Sequence, residues 1–342
     1  MKLKKLGKTN LMVSQVAFGG IEISRIEKLK AVNLIQEAIS LGINLIDTAH
    51  TYMHSEEIIG QAIKKLRNSI FLSTKSMSTS KKLLLSDLAS SFRNLKTDYL
   101  DIFLFHDCTR KKFEELSANG TLMQVMKEKQ KGNIRNIGFS SHSPAVIEKY
   151  YEFDDFSVLM MPINFVSTEF TENNIYNKAV SENIGILAMK PLGGGRLSDI
   201  QLCFKYLNKF KEAIPVIGVE TIEELKQDIS CMKKSKILSD KDLLKISKIV
   251  KEIGKTYCRD CRYCMPCPQG INIPLVNFVK INYKRLNKKV VFNDEYISEV
   301  RKSSLCNECL TCENKCPFNL QIVDMLKENM EFYLKKYFSH KS

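Results

Sequence analysis

The stretch EKLKAVNLIQEAISLGINLIDT, Glu27 to Thr48, decides the fold. Its first part returns apolar residues every three or four positions, the period of a helix with one apolar face. After Gly42 the pattern changes to a short apolar run, NLIDT (Asn44–Thr48), which reads as a buried strand. The same alternation fills the chain from Val16 to about Met232. Further strand candidates are Val16–Gly20, Ile70–Lys75, Tyr99–His106, Asn136–Ser141, Val158–Asn164, Gly185–Leu192 and Pro215–Val219. Eight strand–helix units in this length predict an α/β fold, a (β/α)8 TIM barrel. An open doubly wound sheet is the competing architecture, but no G-x-G-x-x-G follows the first strand. The barrel is expected over residues 1–235. A second domain is expected over 236–342, with a lysine-rich linker helix at about Ser239–Lys255 and a final helix from Gln321 to Phe338.

Composition narrows the class. The 342 residues are 44% hydrophobic and 26% charged, ordinary for a globular protein, and no apolar run reaches membrane-spanning length. The N-terminus lacks the continuous apolar segment of a signal peptide, so a cytoplasmic location is expected. The formal net charge is +14. Part of it is concentrated at Lys280, Lys284, Arg285, Lys288 and Lys289, which form either a solvated face or a docking patch for an acidic electron carrier such as ferredoxin or flavodoxin. No nucleic-acid motif accompanies the charge.

Two cysteine runs organise the second domain. YCRDCRYCMPCPQGINIP places Cys258, Cys261, Cys264 and Cys267 at every third position with Pro268 following, and LCNECLTCENKCPFNL places Cys306, Cys309, Cys312 and Cys316 before Pro317. Such short gaps let one run curl around an iron–sulfur cubane. Structural zinc fits less well, because its ligands come as two pairs across a loop. A disulfide framework fits worse still in a large chain without a secretion signal. The runs resemble those of bacterial-type two-cluster ferredoxins, in which the fourth Cys of each run serves the other cluster. That pattern gives two 4Fe-4S clusters, one on Cys258, Cys261, Cys264 and Cys316, the other on Cys306, Cys309, Cys312 and Cys267. Each oxidised cluster with its thiolates carries a charge of about −2, so the loaded protein stays basic.

In a barrel of this kind chemistry sits at the C-terminal ends of the strands. There the sequence presents Asp47, with Tyr52 shortly after, then Lys75 and His106. A free phenol titrates near about 10, and an adjacent ammonium lowers that value. Lys75 is therefore expected to activate Tyr52 as a proton donor, Asp47 to hold Lys75, and His106 to hydrogen-bond a carbonyl oxygen. Singly, such residues are more often structural. His50, His54 and His142 also fall near the mouth and raise a metal hydrolase as a rival, although His50 and His54 flank the tyrosine in one loop. Cys108, Cys203 and Cys231 read as buried small side chains.

With these residues in view, the chain resembles the aldo/keto reductase family. The likeness runs through LGKTNLMVSQVAFGG, INLIDTAHTYMHSEEIIGQAI, FLSTK, DIFLFH, IRNIGFSSHSP and AMKPLGGGRL. The family's Asp, Tyr, Lys and His tetrad falls on Asp47, Tyr52, Lys75 and His106. The resemblance implies reduction of a small aldehyde or ketone by hydride from NAD(P)H, and the C-terminal Cys runs match a subgroup of the family. It also implies nicotinamide contacts at Ser140, Ser141 and Asn164, with Met160 where many members carry Gln. Lys190 and the glycines Gly193, Gly194 and Gly195 would approach the pyrophosphate, with Gly218 at the end of strand eight in the same set. Where members often place an arginine for the 2′-phosphate of NADPH, this chain has Glu224, with Glu220 and Glu223 nearby, which implies either a preference for NADH or weakened dinucleotide binding.

Clusters move single electrons whereas nicotinamides move hydride, so direct exchange between them needs a converter such as a flavin. No flavin motif is visible, although barrels bind FMN without a short fingerprint. The alternative function is a ferredoxin-like electron-transfer protein whose barrel has a degenerate nicotinamide site and binds a partner or substrate.

Overall fold

The structure is a computed structural model of the chain. It describes every residue except 152, 254–255, 260–262, 287, 317 and 342, and for 145, 148, 149, 285, 289 and 341 the backbone alone. The chain divides into two compact units, Met1–Asp242 and Leu243–Ser342.

The first unit is built on ten strands. A short antiparallel hairpin, β1 (Leu3–Lys5) and β2 (Met12–Ser14), precedes the barrel. The barrel strands are β3 (Ala17–Gly19), β4 (Leu45–Asp47), β5 (Phe71–Ser76), β6 (Leu100–Phe105), β7 (Ile134–Ser140), β8 (Phe156–Pro162), β9 (Gly185–Met189) and β10 (Ala213–Ile217). They are parallel, and β10 pairs with β3 through Val216↔Ala17, so the sheet closes on itself. That pairing excludes the open doubly wound sheet. All eight expected strands form, although Asn164 and Leu192, expected as strand ends, lie in the following loops.

Leu45, Ile102, Leu104, Val158, Met160, Leu187 and Ile214 fill the barrel interior. The hairpin adds Leu6, Leu11 and Val13 to the same cluster and so supplies its floor. Each fully buried side chain of this size contributes about 1.5–3 kcal/mol relative to exposure. Around the barrel, α1 (Lys28–Ser40) buries Ala31, Val32, Leu34, Ile35 and Ala38, one apolar stripe at helical spacing. Helix α2 (Ser55–Ala62) follows the Tyr52 loop, and α3 (Lys81–Leu95) starts at Ser80, whose hydroxyl accepts from the Leu83 N–H. The two helices pack closely because Gly60 has no side chain: a Cβ there would lie 2.1 Å from the Asn94 carbonyl oxygen.

The linker helix spans Asp240–Ile253 and the final helix Ile322–Lys341. Between the cysteine runs lie four short helices, Ile273–Asn277, Val279–Arg285, Lys288–Val291 and Asp294–Arg301, and Thr311–Asn314 adds another within the second run. The described residues of the second unit contain no strand. Its final helix buries Tyr333 and Tyr337 beside Tyr296 and Val291, with the Tyr333 hydroxyl donating to the Val291 carbonyl at 2.6 Å. Among the described residues no helix is long and apolar enough to cross a membrane.

Candidate active site

Asp47 ends β4, and Lys75 is the penultimate residue of β5, one strand over. Lys75 Nζ donates to Asp47 Oδ2 at 2.6 Å and to the Thr48 carbonyl at 2.6 Å. Ser73 lies two residues before Lys75, on the same face of the strand, and its hydroxyl donates to Asp47 Oδ1 at 2.8 Å. Both charged groups are buried. Burial opposes the charge on Lys75, but Asp47 and Tyr52 together outweigh it, and the amine stays protonated with its pKa above the usual value. Burial pushes the Asp47 carboxyl up, with Lys75 pulling the other way.

Tyr52 sits over this pair. Lys75 Nζ is 5.1 Å from its ring centroid, and the His106 ring lies edge-on at 5.5 Å and 81°. The expected activation by Lys75 is corrected in its net direction. Burial pushes the phenol above its ordinary value, Lys75 pulls it down, and the carboxylates of Asp47 and Glu22 add to the rise. Tyr52 is therefore a neutral phenol at physiological pH, in the protonated form a proton donor needs. His106 directly follows β6, and burial next to the Lys75 charge lowers its imidazole to about 3. It is neutral under working conditions. Its Nδ1 lies 3.4 Å from Thr51 Oγ1, a contact in which either atom can be the donor.

The expected nicotinamide contacts are in part occupied by the fold itself. Ser141 Oγ donates to the carbonyls of Cys108 (2.8 Å) and Ser143 (3.1 Å). Asn164 Nδ2 donates to the Lys190 carbonyl at 3.0 Å, and its Oδ1 accepts from the Val166 and Ser167 N–H groups. Ser140 Oγ accepts from the Asp107 N–H at 3.0 Å and keeps its own proton to donate. Met160 is buried in the barrel core, so the amide contact a Gln would make has no counterpart there. After β9, Lys190 has φ 53°, and Gly193, Gly194 and Gly195 follow at 59°, 65° and 81°. Three consecutive glycines in the left-handed region form a tight turn, closed by the Gly193 N–H donating to the Lys190 carbonyl and the Gly195 N–H to the Leu192 carbonyl, both at 2.9 Å.

At the end of β10, Gly218 packs against Glu22. A Cβ at position 218 would lie 2.0 Å from Glu22 Oε2. Arg25 joins Glu22 (3.9 Å) to Glu220 (3.3 Å). Glu224 opens the last barrel helix: its N–H donates to Thr221 Oγ1 at 3.1 Å, and its carboxylate accepts from the Glu220 N–H at 2.8 Å. The carboxylate thus caps a helix start.

The three histidines of the hydrolase reading do not converge. His50 lies between Glu56 and Asp87, His142 Nδ1 is 3.0 Å from Asp107 Oδ1, and exposed His54 lies 3.7 Å from Glu57. Cys108 and Cys203 are buried, and burial pushes both thiols up to about 12. Cys231 is partly buried. Sequence reasoning missed Glu22, Thr51 and Lys112, whose Nζ donates to the His106 carbonyl at 2.7 Å. Ser73 carried a signal, its two-residue spacing from Lys75.

In the second unit, Cys264, Cys312 and Cys316 belong to one apolar cluster with Ile271, Ile273, Leu320 and Leu326. Cys258, Cys267 and Cys306 pack against it. Cys309 is exposed, with its sulfur 3.3 Å from Thr311 Oγ1. Cys261 lies outside the described residues. The described cysteines form no disulfide, and among the described residues no three ligand-type side chains are grouped to hold a metal ion. In the basic stretch, Lys280 pairs with Glu328 at 3.4 Å, and Lys288 Nζ lies 3.4 Å from the Tyr283 ring centroid.

Residues 15–201 match the aldo/keto reductase family. The uncharacterized oxidoreductase YqkF of Bacillus subtilis is 30% identical over 262 residues, 69% of this chain and 81% of that protein. The NADH-specific methylglyoxal reductase of Escherichia coli is 25% identical over 228 residues, 58% of this chain and 69% of its own. Among solved structures, the holo form of aldo-keto reductase AKR11C1 from Bacillus halodurans superposes with a TM-score of 0.64 at 23% identity, covering 73% of this chain and 96% of that one. At that identity the superposition speaks for the fold alone. The family match and the Bacillus relative carry the assignment: this chain belongs to the aldo/keto reductase family, and with it to the NAD(P)-dependent oxidoreductases.

Proposed function

We propose that the barrel reduces a small aldehyde or ketone, with Tyr52 as the proton donor and Asp47, Lys75 and His106 as its supports. The observation that carries this reading is the buried Lys75–Asp47 pair under a protonated Tyr52. As the carbonyl oxygen gains negative charge, the Lys75 ammonium and the His106 imidazole stabilise it, and Tyr52 Oη hands over its proton. The phenolate left behind is held by Lys75 until it regains a proton. The nicotinamide, when bound, supplies the hydride.

The residues fit that cofactor at two places. The left-handed Gly193–Gly195 turn can accept a pyrophosphate against its backbone, and Ser140 has a proton to donate. Glu220 and Glu224 favour NADH, since both would repel a 2′-phosphate. The Escherichia coli relative, by its description an NADH-specific methylglyoxal reductase, supports that choice and makes methylglyoxal a suitable probe. Tyr52→Phe should lower kcat/KM for methylglyoxal with NADH by about 10²–10⁴-fold. Undiminished turnover would reject the reading.

For the second unit we infer a ferredoxin-type domain with two 4Fe-4S clusters. Cys258, Cys261, Cys264 and Cys316 would hold one, and Cys306, Cys309, Cys312 and Cys267 the other. Support comes from their spacing and from six of these cysteines gathering on one apolar cluster. A cubane spreads its thiolates wider than a single ion does, which accommodates the lack of a three-ligand group among the described residues. When present, the clusters supply one-electron transfer or redox sensing, and an acidic carrier such as ferredoxin or flavodoxin is the partner their basic surroundings suit. An anaerobic visible spectrum, with iron, zinc and flavin quantified, tests this. About eight iron per chain is expected, and zinc in place of iron overturns it.

The alternative, an electron-transfer protein with a degenerate nicotinamide site, draws on the engagement of Ser141 and Asn164 by loop backbone. Tyr52→Phe separates the two: the electron carrier would keep its electron transfer, and the reductase would lose carbonyl turnover.

A further inference from the structure

We propose that His50 is a positioning residue that clamps the Tyr52 loop, seated between two carboxylates outside the catalytic group. This rests on the reading of Tyr52 as the acid. The segment between β4 and α2 is pinned along its length. The Thr48 N–H donates to the Ser73 carbonyl at 2.8 Å and the His50 N–H to the Lys75 carbonyl at 2.9 Å. At the far end Ser55 Oγ donates to the Gly20 carbonyl at 2.6 Å. Tyr52 stands midway, and its own N–H donates only one turn back, to Ala49.

What fixes this middle portion sideways is the His50 ring. Its Nδ1 is 3.7 Å from Glu56 Oε2 on α2, and its Nε2 is 3.4 Å from Asp87 Oδ1 on α3. Neither carboxylate is free to swing. Glu56 is 2% exposed and accepts from Thr74 Oγ1 at 2.7 Å and from Asn94 Nδ2 at 3.3 Å. Asp87 accepts from the hydroxyls of Ser76 and Ser78. Thr74 and Ser76 flank Lys75 on β5 and face outward, while Lys75 faces the mouth. One strand therefore presents the catalytic ammonium on one face and orients the His50 cradle from the other. The close approach of α2 to α3 at Gly60 brings the two carboxylates to opposite sides of one ring. Seated between the two side chains, the ring ties both helices and β5 to the loop that carries Tyr52.

The test is amide hydrogen exchange of residues 48–54 in the full chain carrying His50→Gln, alongside reduction of methylglyoxal by NADH. Exchange in this segment should quicken about tenfold while β4 and β5 keep their protection. kcat should fall about ten- to a hundredfold with both KM values within about twofold, the mark of a misplaced group rather than lost binding. Asp87→Asn removes one wall of the cradle and should give the same pattern at smaller size. It is read in place of His50→Gln where that variant folds poorly. Unchanged exchange, or a raised KM with kcat kept, overturns the proposal. A wild-type chain that reduces no carbonyl would sink the reading of Tyr52 as acid, while the exchange measurement still decides the clamp.

Discussion

Two buried carboxylates, Asp47 at the mouth of the barrel and Asp101 near its base, show what separates a working ion pair from a structural one. Asp101 follows the first residue of β6 and is fully buried. Its Oδ2 accepts from Arg67 Nη2 and the Leu72 N–H, and its Oδ1 from Arg135 Nη1, each at 2.9 Å. The two guanidinium groups also sandwich the Tyr99 ring at 3.8 and 3.9 Å from its centroid. The excess positive charge is absorbed by an aromatic face, and the assembly is closed. Asp47 instead faces a single lysine. Two N–H donors of Lys75 go to Asp47 and the Thr48 carbonyl, which leaves a third for the phenol above. The base holds the barrel together, and the mouth keeps a donor in reserve.

Substitutions should split these roles. Lys75→Met is expected to have the largest effect, lowering kcat by about 10²–10⁴-fold in steady-state assays. Its chemical stability should fall less than that loss suggests, because Asp47, whose carboxyl burial already pushes up, can take a proton. Asp101→Asn should do the reverse. Two arginines lose their buried counter-charge, at a cost of about 3–5 kcal/mol in denaturant unfolding, with kcat per folded molecule unchanged. Equal activity loss in both variants would erase the distinction.

Asp228 sharpens the comparison as a buried carboxylate with no cation beside it. It is 2% exposed, its Oδ2 has no hydrogen-bond partner, and burial next to Glu224 raises it to about 7. An acid whose pKa is raised by folding favours the folded state at low pH, and that advantage is lost as pH rises from about 4 through 7. Asp228→Asn should therefore leave stability unchanged near pH 4 and raise it by on the order of 3 kcal/mol at pH 8. Denaturant midpoints measured across that range check the sign. The smallest effect belongs to the exposed Glu224. Glu224→Arg should improve the KM for NADPH about tenfold at low salt and cost about 1 kcal/mol through the lost cap. An unchanged KM would remove the carboxylate from the cofactor preference.

The barrel was legible because strands such as GILAM and AIPVI are buried on both faces and read as short apolar runs. The hairpin was not: β1 and β2 are three residues each, and LKK and MVS carry no strand pattern. The short helices between the cysteine runs escaped for the same reason, since four to eight residues span at most about two helical turns. Asp47, Tyr52, Lys75 and His106 could be placed because strand ends locate the mouth. The direction of the Tyr52 shift could not, because it turns on burial and on Glu22, which comes from a different loop. The bonds of Ser141 and Asn164 to loop backbone could not be read either, because the residue types that bind amides also tie loops to themselves.

The hairpin floor has a consequence for the chemistry. Leu6, Leu11 and Val13 join the side chains that fill the barrel into one continuous apolar plug. The base of the barrel therefore offers nothing for a polar ligand to hold, and the titratable groups are left to the strand ends.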